Sequence, residues 1–600
     1  MNQATEHRGP DGTNVFLDDL ISLGHNRLSI IDLSDRANQP MASFDGRQII
    51  VFNGEIYNFK ELKRELEDYP FKTESDTEVI LAAYKKWGND CAKKLNGIFS
   101  FAIWDRELKE LFLARDHIGV KPLYYFYDRE RFIFSSEIKA ILAHNIFREI
   151  DLTALNHYFR LSYIPHPLTI FKGIKKLSAG YWIKLKNNEM EIEKYWEPGD
   201  KTDFDSKNEA REKIRQTLED SVKHQIISDR PVGVFLSGGL DSSVILGLAR
   251  QFSSGITKTY TTGFKDISLK NEKKFNIDFD LARKTAEHYG TDHHELIIGV
   301  NDICENVEKI FWHLDEPNGN HTAPALFLLS KEAVKDVTVV LAGDGGDELF
   351  AGYLRYAFSR WISMYQKTPR FVQSALNFLL LTAGKNAYFK KISAKKEERI
   401  AEFMMPEEEL FSRILKPDVF QTGITTKYFA ALLKTYQPNI LDKDFEKIFM
   451  DVDRQTWLVD DSLMRTDKMS MAHALEIRVP LLDRRLVEVS QKIPTSWKIK
   501  NQRGKIIFKE ALKEYMLPHF ANQPKWGWFT PMAKWLRQEP LKSMAKDWLD
   551  SLPGQYFEKK EIEKIFEGHL SKGVYNLNIL WSLISFSIWH NLFLNPKKKF

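Results

Sequence analysis

A glycine- and serine-rich loop between an apolar run and a helical pattern constrains the fold of this chain more than any other segment. The apolar run is Val232 to Leu236, the loop is Ser237-Gly238-Gly239-Leu240-Asp241-Ser242-Ser243, and the helical pattern is Val244 to Phe252. Glycines let backbone N–H groups approach an anion, serines add hydroxyl donors, and a helix N-terminus adds partial positive charge. The loop lacks the G-x-x-x-x-G-K-[ST] pattern. It predicts a phosphate site of another type, and the alternative is a Gly-Ser turn that caps an ordinary helix.

A second loop, rich in carboxylates, also follows a short apolar run. Val337 to Leu341 reads as a buried strand and leads into Ala342-Gly343-Asp344-Gly345-Gly346-Asp347-Glu348. Carboxylates crowded into one turn repel each other and a phosphate unless a hard cation lies between them. We therefore predict Mg²⁺ here. The alternative is a solvated Gly/Asp turn.

The periodicity of the chain changes near residue 200. Before that point, short apolar runs separated by turns favour a layered antiparallel α+β sandwich. After it, apolar runs alternate with helical segments, which predicts a doubly wound parallel sheet whose ligand lies beyond the strand C-termini. The polar segment Trp196 to Lys201 reads as a linker. We predict a multi-domain α/β protein with domains at residues 1–196 and 205–600.

Several motifs of the C-terminal half are similar to one family. The SGGLDSS loop resembles the pyrophosphate loop of ATP pyrophosphatases, which cleave ATP between its α- and β-phosphates. The wider set resembles asparagine synthetase of the glutamine-hydrolysing type, and its motifs are Asp315 to Pro317, Asp460 to His473, Leu475 to Asp483 and Pro524 to Trp528. The resemblance covers nearly the whole chain and implies a parallel sheet of the ATP pyrophosphatase type with added helices.

The resemblance implies roles for individual residues. Asp241 and Asp347 match the aspartates that hold Mg²⁺ against the leaving pyrophosphate, and Lys505 matches the lysine that stabilises it. Without the resemblance, Lys505 would read as an exposed surface lysine. Asp344 occupies the position where some relatives have a glutamate that takes a proton from ammonia. The residues that match the ATP pocket are Phe235, Ser237, Gly238, Gly239, Asp241, Ser242, Thr262, Ala342 and Gly343.

The N-terminal half resembles class II glutamine amidotransferases, whose sandwich is Ntn-hydrolase-like. The matching segments are Gly24 to Asp32, Val51 to Asn58 and Thr73 to Glu78. A glutamine pocket needs a cation for the carboxylate, anions for the ammonium and donors for the oxyanion formed at the amide carbon. The residues that match these roles, in that order, are Arg27, then Glu55 and Asp76, then Asn53 and Gly54. On its own, Asn53-Gly54 would predict a hairpin turn.

The amidotransferase nucleophile has no counterpart in this sequence. Relatives use an N-terminal cysteine activated by its own α-amine, whereas this chain begins Met1-Asn2-Gln3 and contains only Cys91 and Cys304. We expect both cysteines to be inert packing residues. In relatives a strand and a helix precede the motif His7 to Gly12. We therefore expect a mis-called start or a fragment, with an upstream segment encoding Met-Cys-Gly or a close variant.

Composition favours a large cytoplasmic enzyme. With 86 basic and 82 acidic residues the formal net charge is +4, so we expect neither nucleic acid nor a membrane as a partner. Two cysteines exclude a disulfide scaffold. We predict that the apolar stretch Tyr575 to Leu594 is a buried helix, because asparagines, serines and a histidine interrupt it. The Lys-rich segment Lys385 to Arg399 is expected to be exposed and suggests no chemistry. A homodimer is usual in relatives, but the sequence leaves the oligomeric state open.

The resemblance implies an ATP-dependent amide synthetase. Aspartate would react with ATP and Mg²⁺ to give β-aspartyl-AMP and pyrophosphate, and ammonia would then displace AMP. In complete relatives glutamine supplies the ammonia, whereas this chain would use free ammonia. One alternative is amidation of another carboxylate, such as a surface-sugar or peptide acid, because Glu316 to Pro324 departs from the asparagine synthetase pattern. Another is a non-catalytic regulatory protein that binds glutamine, against which Asp241, Asp347 and Lys505 argue.

Overall fold

The structure is a computed structural model. It describes residues 1–199, 204–253, 255–383, 386–404, 408–436, 444–521, 529–572 and 574–595. The end of the predicted linker (Asp200 and Lys201), Lys385 and the motif Pro524 to Trp528 lie outside the described residues.

The N-terminal half is built on a six-stranded antiparallel sheet with the strand order β11-β10-β6-β5-β4-β3. Its strands are β3 (Met41–Ala42), β4 (Gln48–Ile56), β5 (Gly97–Asp105), β6 (Glu110–Arg115), β10 (Tyr181–Lys186) and β11 (Glu189–Lys194). Successive side chains of a strand point to opposite faces. In β4, Ile50 and Phe52 pack with a helical layer, whereas Ile49 and Val51 pack with a second sheet. The predicted layered antiparallel sandwich is confirmed.

The second layer consists of two separate antiparallel pieces. One has the order β8-β7-β9, with β7 (Tyr124–Tyr127), β8 (Phe132–Ser135) and β9 (Ile174–Lys176), and the other is the pair β1 (Gly12–Leu17) and β2 (Ser22–Arg27). Among the described residues, β2 pairs only with β1 and β8 only with β7. Both strands line one cavity, so two sheet edges without a strand partner face the same space.

Helices complete the N-terminal half. The α-helices are Phe59–Glu65, Asp76–Trp87, Cys91–Lys94, Ile138–Ile141 and Leu152–Leu161, and the 3₁₀ helices are Asn2–Arg8, Asp35–Ala37 and Gly88–Asp90. The side chain of Ser75 caps the helix Asp76–Trp87 by accepting a hydrogen bond from the backbone N–H of Thr77. This cap fixes Asp76 as the first helical residue.

The C-terminal half contains a five-stranded parallel sheet with the order β14-β13-β12-β15-β16. Its strands are β12 (Val232–Phe235), β13 (Lys258–Phe264), β14 (Asp292–Ile298), β15 (Val339–Leu341) and β16 (Glu476–Arg478). The strand order reverses at β12, because β13 and β14 lie on one side of it and β15 and β16 on the other. Ligands of such sheets bind beyond the strand C-termini at this point. The predicted parallel sheet is confirmed.

Most of the remaining C-terminal half is helical. The α-helices are Lys207–Gln225, Leu240–Phe252, Leu269–Phe275, Ile277–Tyr289, Val300–Leu314, Ala323–Ala333, Gly346–Phe350, Leu354–Tyr365, Arg370–Thr382, Asn386–Ser393, Lys396–Met404, Glu408–Ile414, Ile424–Leu433, Phe445–Gln455, Met464–Met471, Arg484–Lys492, Thr495–Lys498, Ile506–Ala511, Met532–Trp535, Leu541–Asp550, Lys559–Leu570 and Leu577–Phe593. The 3₁₀ helices are Pro480–Leu482, Lys513–Tyr515 and Pro518–Ala521, and Leu458–Leu463 is a π-helix.

The last helix, Leu577–Phe593, lies inside the protein. Its tryptophans Trp581 and Trp589 are fully buried in the largest apolar cluster. A helix that is apolar on every side belongs in a core, so the prediction of a buried helix is confirmed. None of the helices in the described parts of the chain has the length and hydropathy needed to cross a bilayer.

Buried ion pairs join the two halves. Nη2 of Arg8 lies 2.8 Å from a carboxylate oxygen of Asp467, and Nζ of Lys121 lies 3.2 Å from the other oxygen. Nζ of Lys176 lies 3.1 Å from Oε2 of Glu316. Because a charge is buried at acceptable cost only when it is paired, these contacts hold the halves in one arrangement.

Candidate functional site

The first candidate site is a cavity of about 880 Å³ at the C-terminal ends of β12 and β15. The structure brings together almost every residue predicted for ATP, Mg²⁺ or catalysis in the C-terminal half. Those that line this cavity are Phe235, Ser237, Gly239, Asp241, Ser242, Thr262, Ala342, Gly343, Asp344, Asp347 and Lys505. Gly238 belongs to the same loop but is not part of the cavity wall.

The loop between β12 and the helix Leu240–Phe252 has the geometry that its glycines require. Gly238 has φ of 71°, and a Cβ atom there would lie 1.9 Å from the carbonyl oxygen of Asp278. The hydroxyls of Ser237 and Ser242 lie 3.0 Å apart and share a hydrogen bond. Gly239 caps the helix, whose N-terminus therefore faces the cavity and favours an anion there.

Lys505 lies between two carboxylates at this helix end. Its Nζ is 2.5 Å from Oδ2 of Asp241 and 2.5 Å from Oδ1 of Asp347, and only 5% of the residue is exposed. Burial alone would lower the pKa of Lys505, but the two carboxylates raise it above its ordinary value. Lys505 is therefore a fixed cation, and its interpretation as an exposed surface lysine is wrong.

Glycines leave room beside both carboxylates. A Cβ atom at Gly346 would lie 2.6 Å from Oδ1 of Asp241, and one at Gly352 would lie 1.8 Å from Oδ1 of Asp347. Oδ1 of Asp241 is buried and has no hydrogen-bond partner among the described residues. Mg²⁺ is commonly held by one or two carboxylates together with substrate phosphates, so these two aspartates fit such an ion.

Two further acids surround the same loop. Burial raises the pKa of Asp344, although nearby Arg465 opposes the shift, and the hydroxyl of Ser462 approaches Oδ1 of Asp344 at 3.4 Å. Burial and the neighbouring Asp347 raise the pKa of Glu348 to about 7, and the hydroxyl of Tyr353 donates to Glu348 over 2.8 Å. No role was predicted for Glu348 from the sequence. Its position beside Asp347 in the acidic loop was the available signal.

The π-helix Leu458–Leu463 forms another part of the cavity wall. Its Asp461 accepts hydrogen bonds from Nδ2 of Asn318 (2.9 Å), Nδ2 of Asn320 (2.8 Å) and Nη1 of Arg465 (2.9 Å). Segments of π-helix often occur at functional sites. The unusual segment Glu316 to Pro324 is thereby fixed against the cavity, which Asn320 also lines.

The second candidate site is a cavity of about 1140 Å³ in the N-terminal half. It is lined by all five residues predicted to bind glutamine, Arg27, Asn53, Gly54, Glu55 and Asp76. Arg27 donates through Nη1 to the carbonyl oxygen of Ser34 and to Oδ1 of Asn38, both over 2.8 Å. Its guanidinium is therefore held by neutral oxygens at the cavity wall.

Asn53 and Gly54 belong to β4 and do not form a turn. They pair with Ser100 and Phe99 of β5, so the hairpin alternative is wrong. Gly54 has φ of 146°, and a Cβ atom there would lie 2.0 Å from the carbonyl oxygen of Ile98. Only glycine fits this position. Nδ2 of Asn53 donates to the hydroxyl of Ser136 over 3.2 Å.

Glu55 contacts the C-terminal half, and Asp76 lies beside Glu55. Nη2 of Arg478, from β16, lies 2.7 Å from Oε2 of Glu55, and Nε of Arg478 lies 2.8 Å from Oε1 of Glu476. Burial and the nearby Asp76 raise the pKa of Glu55 well above its ordinary value, and burial also raises the pKa of Asp76, although the backbone N–H of Ile56 opposes that shift. Glu55 and Glu476 therefore share the buried guanidinium of Arg478.

Arg478 also bonds to a residue of the first site. Its carbonyl oxygen accepts a hydrogen bond from the backbone N–H of Ala342 over 2.9 Å, and Ala342 lines the first cavity. Arg478 thus bonds to a lining residue of each cavity, to Glu55 through its side chain and to Ala342 through its main chain. Arg478 lies within the motif Leu475 to Asp483, but no role was predicted for it from the sequence.

Neither cysteine lies in the N-terminal cavity. Cys91 is fully buried in the helix Cys91–Lys94, and burial raises the pKa of its thiol. Cys304 lies in the helix Val300–Leu314 of the C-terminal half, and burial raises the pKa of its thiol to about 11. A raised pKa disfavours the nucleophilic thiolate, which agrees with the predicted packing role.

Comparison with known proteins identifies the family. A family model described as asparagine synthase matches residues 213–591, and one described as a glutamine amidotransferase domain matches residues 1–196. Asparagine synthetase [glutamine-hydrolyzing] 1 of Bacillus subtilis is 32% identical, over 100% of this chain and 94% of its own. A putative asparagine synthetase of Mycobacterium tuberculosis is 31% identical (98% and 92%), and amidase chry2 of Gibberella zeae is 29% identical (88% and 84%). This chain therefore belongs to the glutamine-hydrolysing asparagine synthetase family.

Proposed function

We propose that this protein is an ATP-dependent ligase that converts aspartate to asparagine through β-aspartyl-AMP. The observation that supports this most is the buried Lys505 ammonium between Asp241 and Asp347, beside the N-terminus of the helix Leu240–Phe252. A fixed cation and a helix N-terminus that face one cavity stabilise a phosphate group on which negative charge develops. Family membership supports the same reaction.

In the first step, an oxygen of the aspartate side-chain carboxylate attacks the α-phosphorus of ATP. The bond from that phosphorus to the bridging oxygen breaks, and pyrophosphate leaves with both electrons. Lys505 and the loop Ser237 to Ser243 are placed to hold the departing pyrophosphate. Asp241 and Asp347 would hold Mg²⁺, which neutralises phosphate charge when bound.

In the second step, ammonia attacks the acyl carbon, the bond to AMP breaks, and the attacking nitrogen loses a proton. We assign acceptance of that proton to Asp344, because it lines the same cavity and because burial raises the pKa of its carboxyl. A base with a raised pKa holds a proton more strongly near neutral pH. Glu348 is a second base within the acidic loop.

For the nitrogen source, we propose free ammonia for the 600-residue chain. The five residues of the N-terminal cavity match a glutamine pocket, but Cys91 and Cys304 both lie away from it. With ammonium, ATP, Mg²⁺ and aspartate, we expect AMP, pyrophosphate and asparagine in equal amounts. Glutamine in place of ammonium should give no product, and glutaminase turnover would contradict the assignment.

A second acceptor carboxylate is favoured by one observation. Asn318 and Asn320, in the segment that departs from the asparagine synthetase pattern, are bound to Asp461 on the cavity wall. These two asparagines therefore give this part of the cavity wall a different set of polar groups, which would suit a carboxylate other than aspartate. Aspartate-dependent exchange of labelled pyrophosphate into ATP, compared with the same exchange supported by carboxylated sugars and peptide acids, tests the acceptor directly. Exchange with another acid but not with aspartate would overturn the aspartate assignment while keeping the ligase.

A further inference from the structure

The helix Arg370–Thr382 exposes large apolar side chains to solvent. Among them, Phe371 is 75% exposed, Phe378 67%, Leu379 61%, Leu381 47% and Val372 39%. Residues seven and eight positions apart lie on one face of a helix. Phe371, Phe378 and Leu379 therefore form one outward apolar face, called the outer face below. Contiguous exposed apolar surface of this kind marks a site of interaction with another molecule.

The opposite side of this helix anchors it to the protein. Leu376 and Leu380 pack against a small cluster formed by Ile362, Tyr365 and Ile392. The hydroxyl of Tyr365 donates to the carbonyl oxygen of Gln373 over 2.8 Å. The helix thus has an apolar side that is already used for packing, and the outer face is additional to it.

The chain around the outer face is strongly basic. From Leu354 to Lys396 there is no Asp or Glu, and nine residues are basic, namely Arg355, Arg360, Lys367, Arg370, Lys385, Lys390, Lys391, Lys395 and Lys396. Lys367, Arg370 and Lys395 are exposed. The whole chain has 86 basic and 82 acidic residues. The expectation of no membrane partner was based on that whole-chain balance, which averages over this segment.

The charge selects among the partners that an apolar face could take. A second copy docked through the outer face would bring the exposed Lys367, Arg370 and Lys395 of both copies together, and like charges oppose such contact. An apolar helix face of Phe and Leu, with basic residues on the helix and in the segments next to it along the chain, fits the interface of an anionic bilayer. Thirteen residues extend roughly 20 Å, less than the ~30 Å core of a bilayer. The helix would therefore lie along the surface.

We propose that the helix Arg370–Thr382 docks this protein on an anionic lipid surface. Phe371, Phe378 and Leu379 enter the boundary between headgroups and acyl chains, and the surrounding lysines and arginines contact the anionic headgroups. This inference does not depend on the reaction proposed above, because none of these residues lines either cavity.

Sedimentation of the full 600-residue chain with lipid vesicles tests the proposal. We expect binding to vesicles of equal parts phosphatidylglycerol and phosphatidylcholine, weakened by salt, and little binding to phosphatidylcholine alone. The variant with Phe371→Ser, Phe378→Ser and Leu379→Ser should bind at least about tenfold more weakly. The variant with Lys367→Gln, Arg370→Gln and Lys395→Gln should lose affinity by about fivefold per residue.

A control variant separates this face from exposed apolar surface in general. Phe147 is 81% exposed in the N-terminal half, and Phe147→Ser should bind vesicles like the unmodified chain. All variants change exposed side chains, so their thermal unfolding should be unchanged. Equal binding to both vesicle types, or none, would overturn the proposal. So would a dimer in light scattering that the outer-face variant dissociates while lipid binding stays absent, because the occupant would then be a second copy.

Discussion

The two cavities hold their charges in different ways. In the C-terminal cavity, Lys505 pairs with both Asp241 and Asp347, and all three residues belong to one half of the molecule. In the N-terminal cavity, Glu55 takes its cation, Arg478, from the other half, and Arg27 is held by neutral oxygens. The first cavity therefore takes the cation of its ion pairs from its own half. The N-terminal cavity depends on the contact between the halves. A substitution at that contact should therefore affect the N-terminal cavity more than the C-terminal one.

The largest expected effect on activity comes from replacing the carboxylates of the C-terminal cavity. Asp241→Asn or Asp347→Asn keeps the shape but removes a charge that would hold Mg²⁺, so adenylation should fall by several orders of magnitude. Exchange of labelled pyrophosphate into ATP measures it. Asp336→Asn is the control, because Asp336 pairs with Lys258 and does not line the cavity. Normal exchange in either variant would refute the metal assignment.

The next effect tests whether the N-terminal cavity depends on the other half. Arg478→Met leaves Glu55 buried without its cation, whereas Glu476 keeps Lys121 at 3.6 Å, and breaking a buried pair costs about 3–5 kcal/mol. The midpoint of urea unfolding should fall accordingly, and adding Glu55→Gln should recover much of the loss. Arg131→Met is the matched control, because its pair with Asp128 is exposed to solvent and contributes little to stability. Equal effects of Arg478→Met and Arg131→Met would remove the distinction between the cavities.

Lys505→Ala tests the role of the cation in the C-terminal cavity. Loss of an oriented positive charge at a leaving phosphate should slow adenylation by roughly 10²- to 10³-fold. Lys509→Ala is the control, since Lys509 lines the same cavity but donates to the carbonyl oxygen of Phe520. Single-turnover formation of AMP separates this loss from slower product release. Equal rates of adenylation in the two variants would contradict the role assigned to Lys505 at the leaving phosphate.

The smallest effect is on the pH dependence of stability. Burial raises the pKa of Asp76 from 3.8 to about 6, so the folded state binds a proton that the unfolded state has lost in this range. Stability should therefore fall as the pH rises from about 4 to about 6, by the order of 1–3 kcal/mol, and Asp76→Asn should flatten this slope.

Asp45→Asn is the control for that slope. The hydrogen bond from Lys85 lowers the pKa of Asp45 to about 2, so its contribution is present above pH 4 and is lost only as the pH falls toward 2. An unchanged slope in Asp76→Asn, measured by thermal unfolding at several pH values, would exclude Asp76 as its source.

The sequence predicted those loops and strands whose structure is determined by residues close together along the chain. The loop Ser237 to Ser243, the acidic loop near Asp347 and the strands around them follow from glycine positions and apolar periodicity. The pair of Glu55 and Arg478 joins residues 423 positions apart, and periodicity carries no information on such a contact. The exposure of the outer face of the helix Arg370–Thr382 was not predicted for another reason. Its apolar pattern is the same as that of a packed helix, and only the position of the protein core shows which side faces solvent.

The double contact of Arg478 has a thermodynamic consequence. Its main chain is fixed in the sheet beside Ala342, whereas its guanidinium is bound to Glu55. If the ammonium of glutamine pairs with Glu55, the interaction between Glu55 and Arg478 changes, and with it the stability of β16, the strand that bonds to Ala342 in the wall of the C-terminal cavity. Linkage is reciprocal. Any amount by which bound nucleotide alters the affinity for glutamine must equal the amount by which glutamine alters the affinity for nucleotide.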